Sequence, residues 1–426
     1  MVVGVRDVRI GDRHLNPEAR TRRAVDAATI PAMPKNTTTS RSKTPSLRPT
    51  AAARRTHESW LRAVTAIPTA AGREQRVIAW VRDWCRARRN LALTEDAAGN
   101  LLITQRRRST AKPLIITAHL DHPAFVVSSV AGRELDLEFR GGVLPAYFDE
   151  ATIEVIDAND ATHTAKITGL AYEAKPFKRV TARLSRKADS IAAGDVGRWR
   201  FKGYRTLPVV KKGLLYTHAC DDLAAVAAAL ATLDEARGRT GMAHVGVLLT
   251  RAEEVGFIGA IAACRQRTVP RTARLLCLEN SRSFPESPIG AGPILRVGDK
   301  VSVFSPDLTN RIGQLMALHG TRDSSFTAQR KLMPGGTCEA TTFASYGYAS
   351  TCICLPLGNY HNMSDIDGTL AGVRPALVGP EHISIDDYHG MIELLLLCAR
   401  DLDDASIPPI KGMMERLWKD VGFVVR

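Results

Sequence analysis

Short uninterrupted apolar runs punctuate this chain: "LLITQ", "PLIITAH", "HVGVLLT", "ARLLCLE" and "STCICLP". Between several of them lie stretches with helical spacing of apolar positions, such as "DDLAAVAAALATLDEARG" and "GAIAACRQ". Continuous apolar strands alternating with helices predict an α/β fold, a mostly parallel sheet sandwiched by helices. Upstream, "THESWLRAVTAIPTAAGREQRVIAWVRDWCRA" predicts two amphipathic helices, the second opening on a loose Thr69–Glu74 capping arrangement. One block breaks the rhythm. From about 128 to 212 the runs are short, alternate apolar with polar, and are rich in Gly and β-branched residues ("RELDLEFRGG", "ATIEVIDA", "HTAKITGLAY", "KRVTARLS"). That pattern predicts a small all-β domain at 128–212, inserted into an α/β domain of 56–127 and 213–426.

Composition adds limits. The chain has 426 residues, 45% of them hydrophobic, enough for one large core or two ordinary ones. Its formal net charge is +14. The first 55 residues hold twelve Arg/Lys against four Asp/Glu, so much of the excess sits there, in a Ser/Thr/Pro/Arg-rich stretch without apolar period. Residues 1–55 are therefore expected to be a disordered basic extension. A nucleic-acid tail or transit segment competes with a dispensable extension. The second is favoured because Asp7, Asp12, Glu18 and Asp26 spoil a transit pattern. Nucleic acid is thus not expected as a partner of this stretch. No run approaches the ~18 apolar residues of a membrane helix, so no membrane association is expected. The eight cysteines form no C-x-x-C pair and lie mostly in apolar runs, as expected of reduced core residues in a cytoplasmic protein.

The chemistry gathers where apolar runs stop. His119 and Asp121 follow "PLIITA", the adjacent Glu253 and Glu254 follow "HVGVLLTRA", Glu279 ends "ARLLCLE", and His361 follows "STCICLPLGNY". "GLLYTHACDD" delivers Asp221 and Asp222 just before a helix. Ligands of open α/β sheets bind outside the carboxyl ends of the strands. Taken singly, each group has an ordinary reading: H-x-D is common, Asp-Asp suits a helix start, and Glu-Glu beside Gly suits a solvated loop. Together, several carboxylates converging on one edge would repel, and divalent cations would turn repulsion into ligation. His with Asp/Glu, and no required Cys, suits Zn²⁺, with Co²⁺ or Mn²⁺ possible. One glutamate of the adjacent pair can then bind metal while its neighbour takes the proton from an activated water.

With these residues in view, the chain resembles the dinuclear-metal aminopeptidases of the tetrahedral and glutamyl aminopeptidase type. The likeness covers roughly residues 56–400. It rests on "AHLDHPAFVV", "FRGGVLP", "ACDDLAAV", "TRAEEVGFIGA", "IGAGPILRVGD", "PGGTCEATTF" and "PLGNYHNMSD". The resemblance implies two divalent metal ions per subunit. His119 and Glu279 would hold the first, Glu254 and His361 the second, and Asp221 both; Asp121 would orient the His119 ring. Glu253 would be the general base, and the substrates peptides, cleaved at the N-terminal residue. It also implies a homo-oligomer built from dimers, up to a dodecamer, with the inserted domain at subunit contacts. The chain departs from the family pattern in carrying His122 for an acid, Glu279 for Asp, and Cys338 after the "GGT". A related amide hydrolase of the same clan, a deacylase or carboxypeptidase, would share the metal core and differ in what reads the substrate's charged end.

Overall fold

A computed structural model describes residues 46–425. Helix α1 (Ala51–Val64) opens them, starting before the boundary expected at residue 56, because the Thr50 hydroxyl caps it by accepting from the Ala53 N–H. What was expected of residues 1–45 lies outside the described residues. Helix α2 (Gln75–Arg86) follows, without the Thr69–Glu74 capping arrangement. Thr69 Oγ1 donates instead to the Leu120 carbonyl at 2.8 Å, and the buried Glu74 carboxylate accepts from Gly72 N and Arg251 Nε. Leu120 and Arg251, the distant partners, are brought near only in the folded state.

Strands β1 (Leu91–Glu95) and β2 (Leu101–Gln105) form an antiparallel hairpin, and β3 (Leu114–His119) comes next. Six strands then close into an antiparallel barrel: β4 (Ala124–Ala131), β5 (Glu134–Arg140), β6 (Thr152–Ile156), β7 (Thr162–Ala171), β8 (Lys178–Leu184) and β9 (Val196–Trp199). Period-two alternation sends Leu135, Leu137 and Phe139 of β5 inward. Phe125, Phe139, Phe148 and Trp199 meet in the barrel core, largely edge to face. Strand β10 (Val209–Lys211), which the expected insertion to residue 212 included, pairs elsewhere. It joins β11 (Leu214–Thr217) and, through it, residues 381–384.

The chain then returns to the main sheet through α3 (Leu223–Arg237), β12 (Val245–Thr250), α4 (Ile258–Gln266), β13 (Arg274–Arg282), β14 (Ile294–Gly298), α5 (Pro306–Arg322), β15 (Gln329–Leu332), α6 (Glu339–Ser345) and β16 (Ala349–Leu357). The eight-stranded order is β1-β2-β12-β3-β13-β16-β14-β15. The central four strands, β12-β3-β13-β16, are parallel, while β1/β2, β2/β12 and β16/β14 pair antiparallel, so the sheet is mixed. Last come the short pair β17 (Met363–Ser364) and β18 (Leu377–Val378) flanking the one-turn α7 (Ile366–Leu370), then β19 (Glu381–Ser384), α8 (Ile385–Asp401) and α9 (Ile410–Val421).

Both faces of the parallel centre are apolar. Leu114, Ile116 and Ala118 of β3 belong to the core shared with α1, α3 and α8, and Ile115 to the one beneath α4 and α6. Helix α3 is buried on nearly every side, and its run of alanines permits that close approach. Helix α9 is the opposite case, with no buried residue and with Met414, Leu417 and Val421 exposed. No helix of the described residues is long and apolar enough to cross a membrane.

Candidate metal centre

The carboxyl ends of β12, β3 and β13 are neighbours, and polar side chains collect there. Strand β3 pairs with β12 up to His119 opposite Thr250. The chain after β12 turns sharply through Ala252, at φ 53°, which sets Glu253 and Glu254 beside the end of β3. Glu279 comes from within β13, which runs on to Arg282, rather than from its last residue as the apolar run suggested. Asp221 precedes α3, and His361 sits in the turn after β16, itself at φ 54°.

These side chains converge. His119 Nε2 lies 3.4 Å from Asp221 Oδ1, and His361 Nε2 lies 3.4 Å from Asp221 Oδ2 and 3.3 Å from Glu254 Oε1. Glu253 Oε2 is 4.0 Å from His119 Nε2. Potential ligand atoms of His119, Asp221 and Glu279 lie within 4.8 Å of one another, as do those of Asp221, Glu254 and His361. The two oxygens of Asp221 thus face two separate groups of donors.

Three further observations fit this donor set to divalent cations. Asp221 Oδ1, Glu254 Oε1 and Glu279 Oε1 are buried without a hydrogen-bond partner, a costly state for carboxylate oxygens unless something else binds them. Each imidazole is engaged on its far side: His119 Nδ1 lies 3.1 Å from the Asp121 carbonyl, and His361 Nδ1 lies 2.6 Å from the Gly142 carbonyl. Donation from Nδ1–H fixes the tautomer and leaves each Nε2 lone pair facing the centre. The electrostatics agree. Burial pushes the Glu253 and Glu279 pKa values well up, with neighbouring acids adding to it. Burial alone would pull the His119 imidazole down, but Glu253, Asp121 and Asp221 raise it instead. Burial would also raise the Asp221 carboxyl, yet His119 and His361 hold it below its usual range. Buried carboxylates such as Glu253 and Glu279, pushed toward protonation by burial and by neighbouring acids, are suited to a cation.

Asp121 touches both His119 and the acidic turn. Its backbone carbonyl, not its carboxylate, makes the close contact to His119; the nearer carboxylate oxygen is 3.6 Å away. The carboxylate accepts from Glu253 N at 2.9 Å and Glu254 N at 3.0 Å, so it holds the acidic turn. Sequence reasoning missed a set of supporting acids. Glu381 Oε2 accepts from Cys220 N and Asp221 N, and its Oε1 from His361 N, tying the Asp221 segment and the His361 turn to one carboxylate. Burial pushes Glu381 up to about 7. Asp222 accepts from His119 N and Asn280 Nδ2, and Glu74 from Ala252 N. Only Asp222, beside a candidate ligand, carried a sequence signal. Of the departures from the family pattern, His122 bridges the Asp221 carbonyl and Asn362 Oδ1, while Cys338 is buried near Cys352 and Arg296.

No curated protein sequence matches the chain significantly. Solved structures do. An aminopeptidase from the archaeon Desulfurococcus kamchatkensis is 18% identical, with 83% of this chain and 98% of that one covered at a TM-score of 0.64. The TET1 peptidase of Pyrococcus horikoshii is 16% identical, with 81% and 99% covered, also at 0.64. A TET aminopeptidase from a marine-sediment archaeon of the Thaumarchaeota is 16% identical, with 83% and 99% covered, at 0.65. At such identities the likeness is one of fold. The family comes from the sequence itself: residues 99–371 match the model of the M42 glutamyl aminopeptidases, and the chain belongs to that family.

Proposed function

We propose that this chain is a metal-dependent aminopeptidase that releases N-terminal residues from peptides. The observation that carries the reading is the placement of Asp221, one carboxylate oxygen toward His119 and the other toward His361, each at 3.4 Å. His119, Glu279 and Asp221 would hold one divalent ion, and Asp221, Glu254 and His361 a second. Two imidazoles with carboxylates and no thiolate favour zinc, with cobalt or manganese as substitutes. Bound there, such ions supply Lewis acidity toward a scissile carbonyl and lower the pKa of water.

The protein's own groups do the rest. Glu253, with Oε2 4.0 Å from His119 Nε2 and raised in pKa by burial, accepts a proton from the attacking water and returns it to the leaving amine. Asp121 fixes the turn that aims Glu253 and Glu254. The Nδ1 contacts of His119 and His361 keep both rings in register.

The wider reading is of a cytoplasmic homo-oligomer built from dimers, up to a dodecamer, with the inserted β-rich domain at its subunit contacts. All eight cysteines are free, which suits a reducing compartment. The similar Pyrococcus horikoshii peptidase is described as assembling into a tetrahedron or a large octahedral shell.

The test is Glu253→Gln, assayed on aminoacyl amides with metal content measured in parallel. Turnover should fall by at least ~100-fold while both metal equivalents remain. Undiminished turnover would remove Glu253 from the chemistry. Equal hydrolysis of N-acylated amino acids by the unaltered enzyme would instead indicate a deacylase.

A further inference from the structure

A second charged feature lies away from the metal centre, where α2 ends and the β1–β2 hairpin begins. A groove of about 440 Å³ is lined there by Arg82, Cys85, Arg86, Arg88, Arg89, Leu91, Leu93 and Arg106. Five of those eight residues are arginines and none is acidic; three of the five pair with carboxylates just outside the lining, which leaves Arg89 and Arg106 as its uncompensated charges. Residues 82–108 hold seven arginines against Asp83, Glu95 and Asp96, and no lysine.

The arginines are unequally engaged. Arg88 is fixed: its Nε donates to Asp234 at 2.6 Å, and its guanidinium lies 3.7 Å over the Trp84 ring. Arg82 and Arg86 pair with Glu95 and Asp83 at the exposed surface, contacts that contribute little and exchange readily. Arg89 has no hydrogen-bond or ion-pair partner for its guanidinium among the described residues. Arg106 uses only Nε, toward the Arg89 carbonyl. Arg107 and Arg108 follow it, exposed and without an ion-pair partner among the described residues, and carry the positive charge outward beyond the groove.

We propose that this groove binds the phosphate backbone of a single-stranded nucleic acid. Guanidinium forks match phosphate oxygens two at a time, and arginine is the residue suited to that recognition. The charge continuing from the groove through Arg107 and Arg108 suits a chain of phosphates rather than one. The lining contains Leu91, Leu93 and Cys85 but no aromatic ring on which a base could stack, so binding rests on phosphate contacts, which carry no sequence information. Every lining residue falls between positions 82 and 106 of the sequence, outside the basic stretch of residues 1–55.

The experiment uses the full chain with fluorescein-labelled dT20 and U20, followed by anisotropy at 50 and 200 mM salt. Both oligomers should bind with similar affinity. An engagement of about four phosphates should weaken binding roughly 50-fold across that salt range. The variant Arg89→Glu/Arg106→Glu/Arg107→Glu should lose at least tenfold in affinity with peptidase activity retained. The exposed pair variant Arg107→Glu/Arg108→Glu, which cannot disturb the core, should lose part of it. A matched reversal in the N-terminal stretch, Arg20→Glu/Arg22→Glu/Arg23→Glu, should change binding less than threefold. No binding by the unaltered chain, or equal loss from the N-terminal reversal, would overturn the proposal. So would displacement by millimolar inorganic phosphate, which marks a single-anion site, or by polyglutamate at equal charge, which marks an acidic-peptide site.

Discussion

Asp121 shows how one residue can matter to a site without facing it. Its carboxylate accepts two successive backbone N–H groups, those of Glu253 and Glu254. In Asp121→Asn an NH₂ group replaces one acceptor, so one N–H loses its partner and meets a donor. The acidic turn should loosen, and kcat/KM on an aminoacyl amide should fall about 10–100-fold, as is usual for groups that orient ligands. Steady-state kinetics decide it; an unchanged kcat/KM would mean the turn holds itself. Another residue controls pH response. Burial, with Arg198 and His122 nearby, pushes the His218 imidazole from 6.5 down to about 2. The unfolded chain takes up that proton below pH 6.5 and the folded chain does not. Stability is therefore full above 6.5 and declines below it, by about 2 kcal/mol at pH 5. Denaturant midpoints at pH 7 and 5 should show this share of the decline in the unaltered protein and not in His218→Gln. The candidate ligands were legible in the sequence because each closes an apolar run, where an unneeded charge is costly. Glu74 and Glu381 were not. In a polar stretch, a buried acid reads the same as a solvated one until the fold surrounds it.

Elements carry a different kind of constraint. The "EEVGFIGA" stretch needs its second glycine because α4 starts directly against the acidic turn. A Cβ on Gly259 would stand 2.3 Å from the Arg251 carbonyl oxygen and 2.7 Å from Asn100 Oδ1. Gly259→Ala should push α4 away, lowering both thermal stability and turnover. Retention of both would show that the turn can shift without consequence. At the other end of the domain, Thr50→Ala should cost about 1 kcal/mol through the lost cap of α1, read by denaturant unfolding, with kinetics unchanged. The alternation of strands and helices was legible because a parallel centre demands apolar residues on both faces. Strand direction was not. Antiparallel β2 and β14 look the same in sequence as their parallel neighbours, since pairing is decided by connections rather than composition.

At the scale of the whole molecule, the candidate metal centre draws on segments spread from His119 to His361, and one of its supports, at Gly142, belongs to the barrel. The Gly142 carbonyl that receives His361 Nδ1 lies in the link between β5 and β6. From the same link, the Tyr147 hydroxyl donates to the Ser364 carbonyl at 2.7 Å. The barrel is therefore no detachable appendage. Cutting out residues 124–199 and splicing the flanks would leave the eight-stranded sheet its own core, yet would deprive the His361 ring of the carbonyl that fixes its Nδ1 side. Such a miniaturised enzyme should fold and remain inert, however well its other donors are kept, and minimal versions of this protein will have to carry that short link with them.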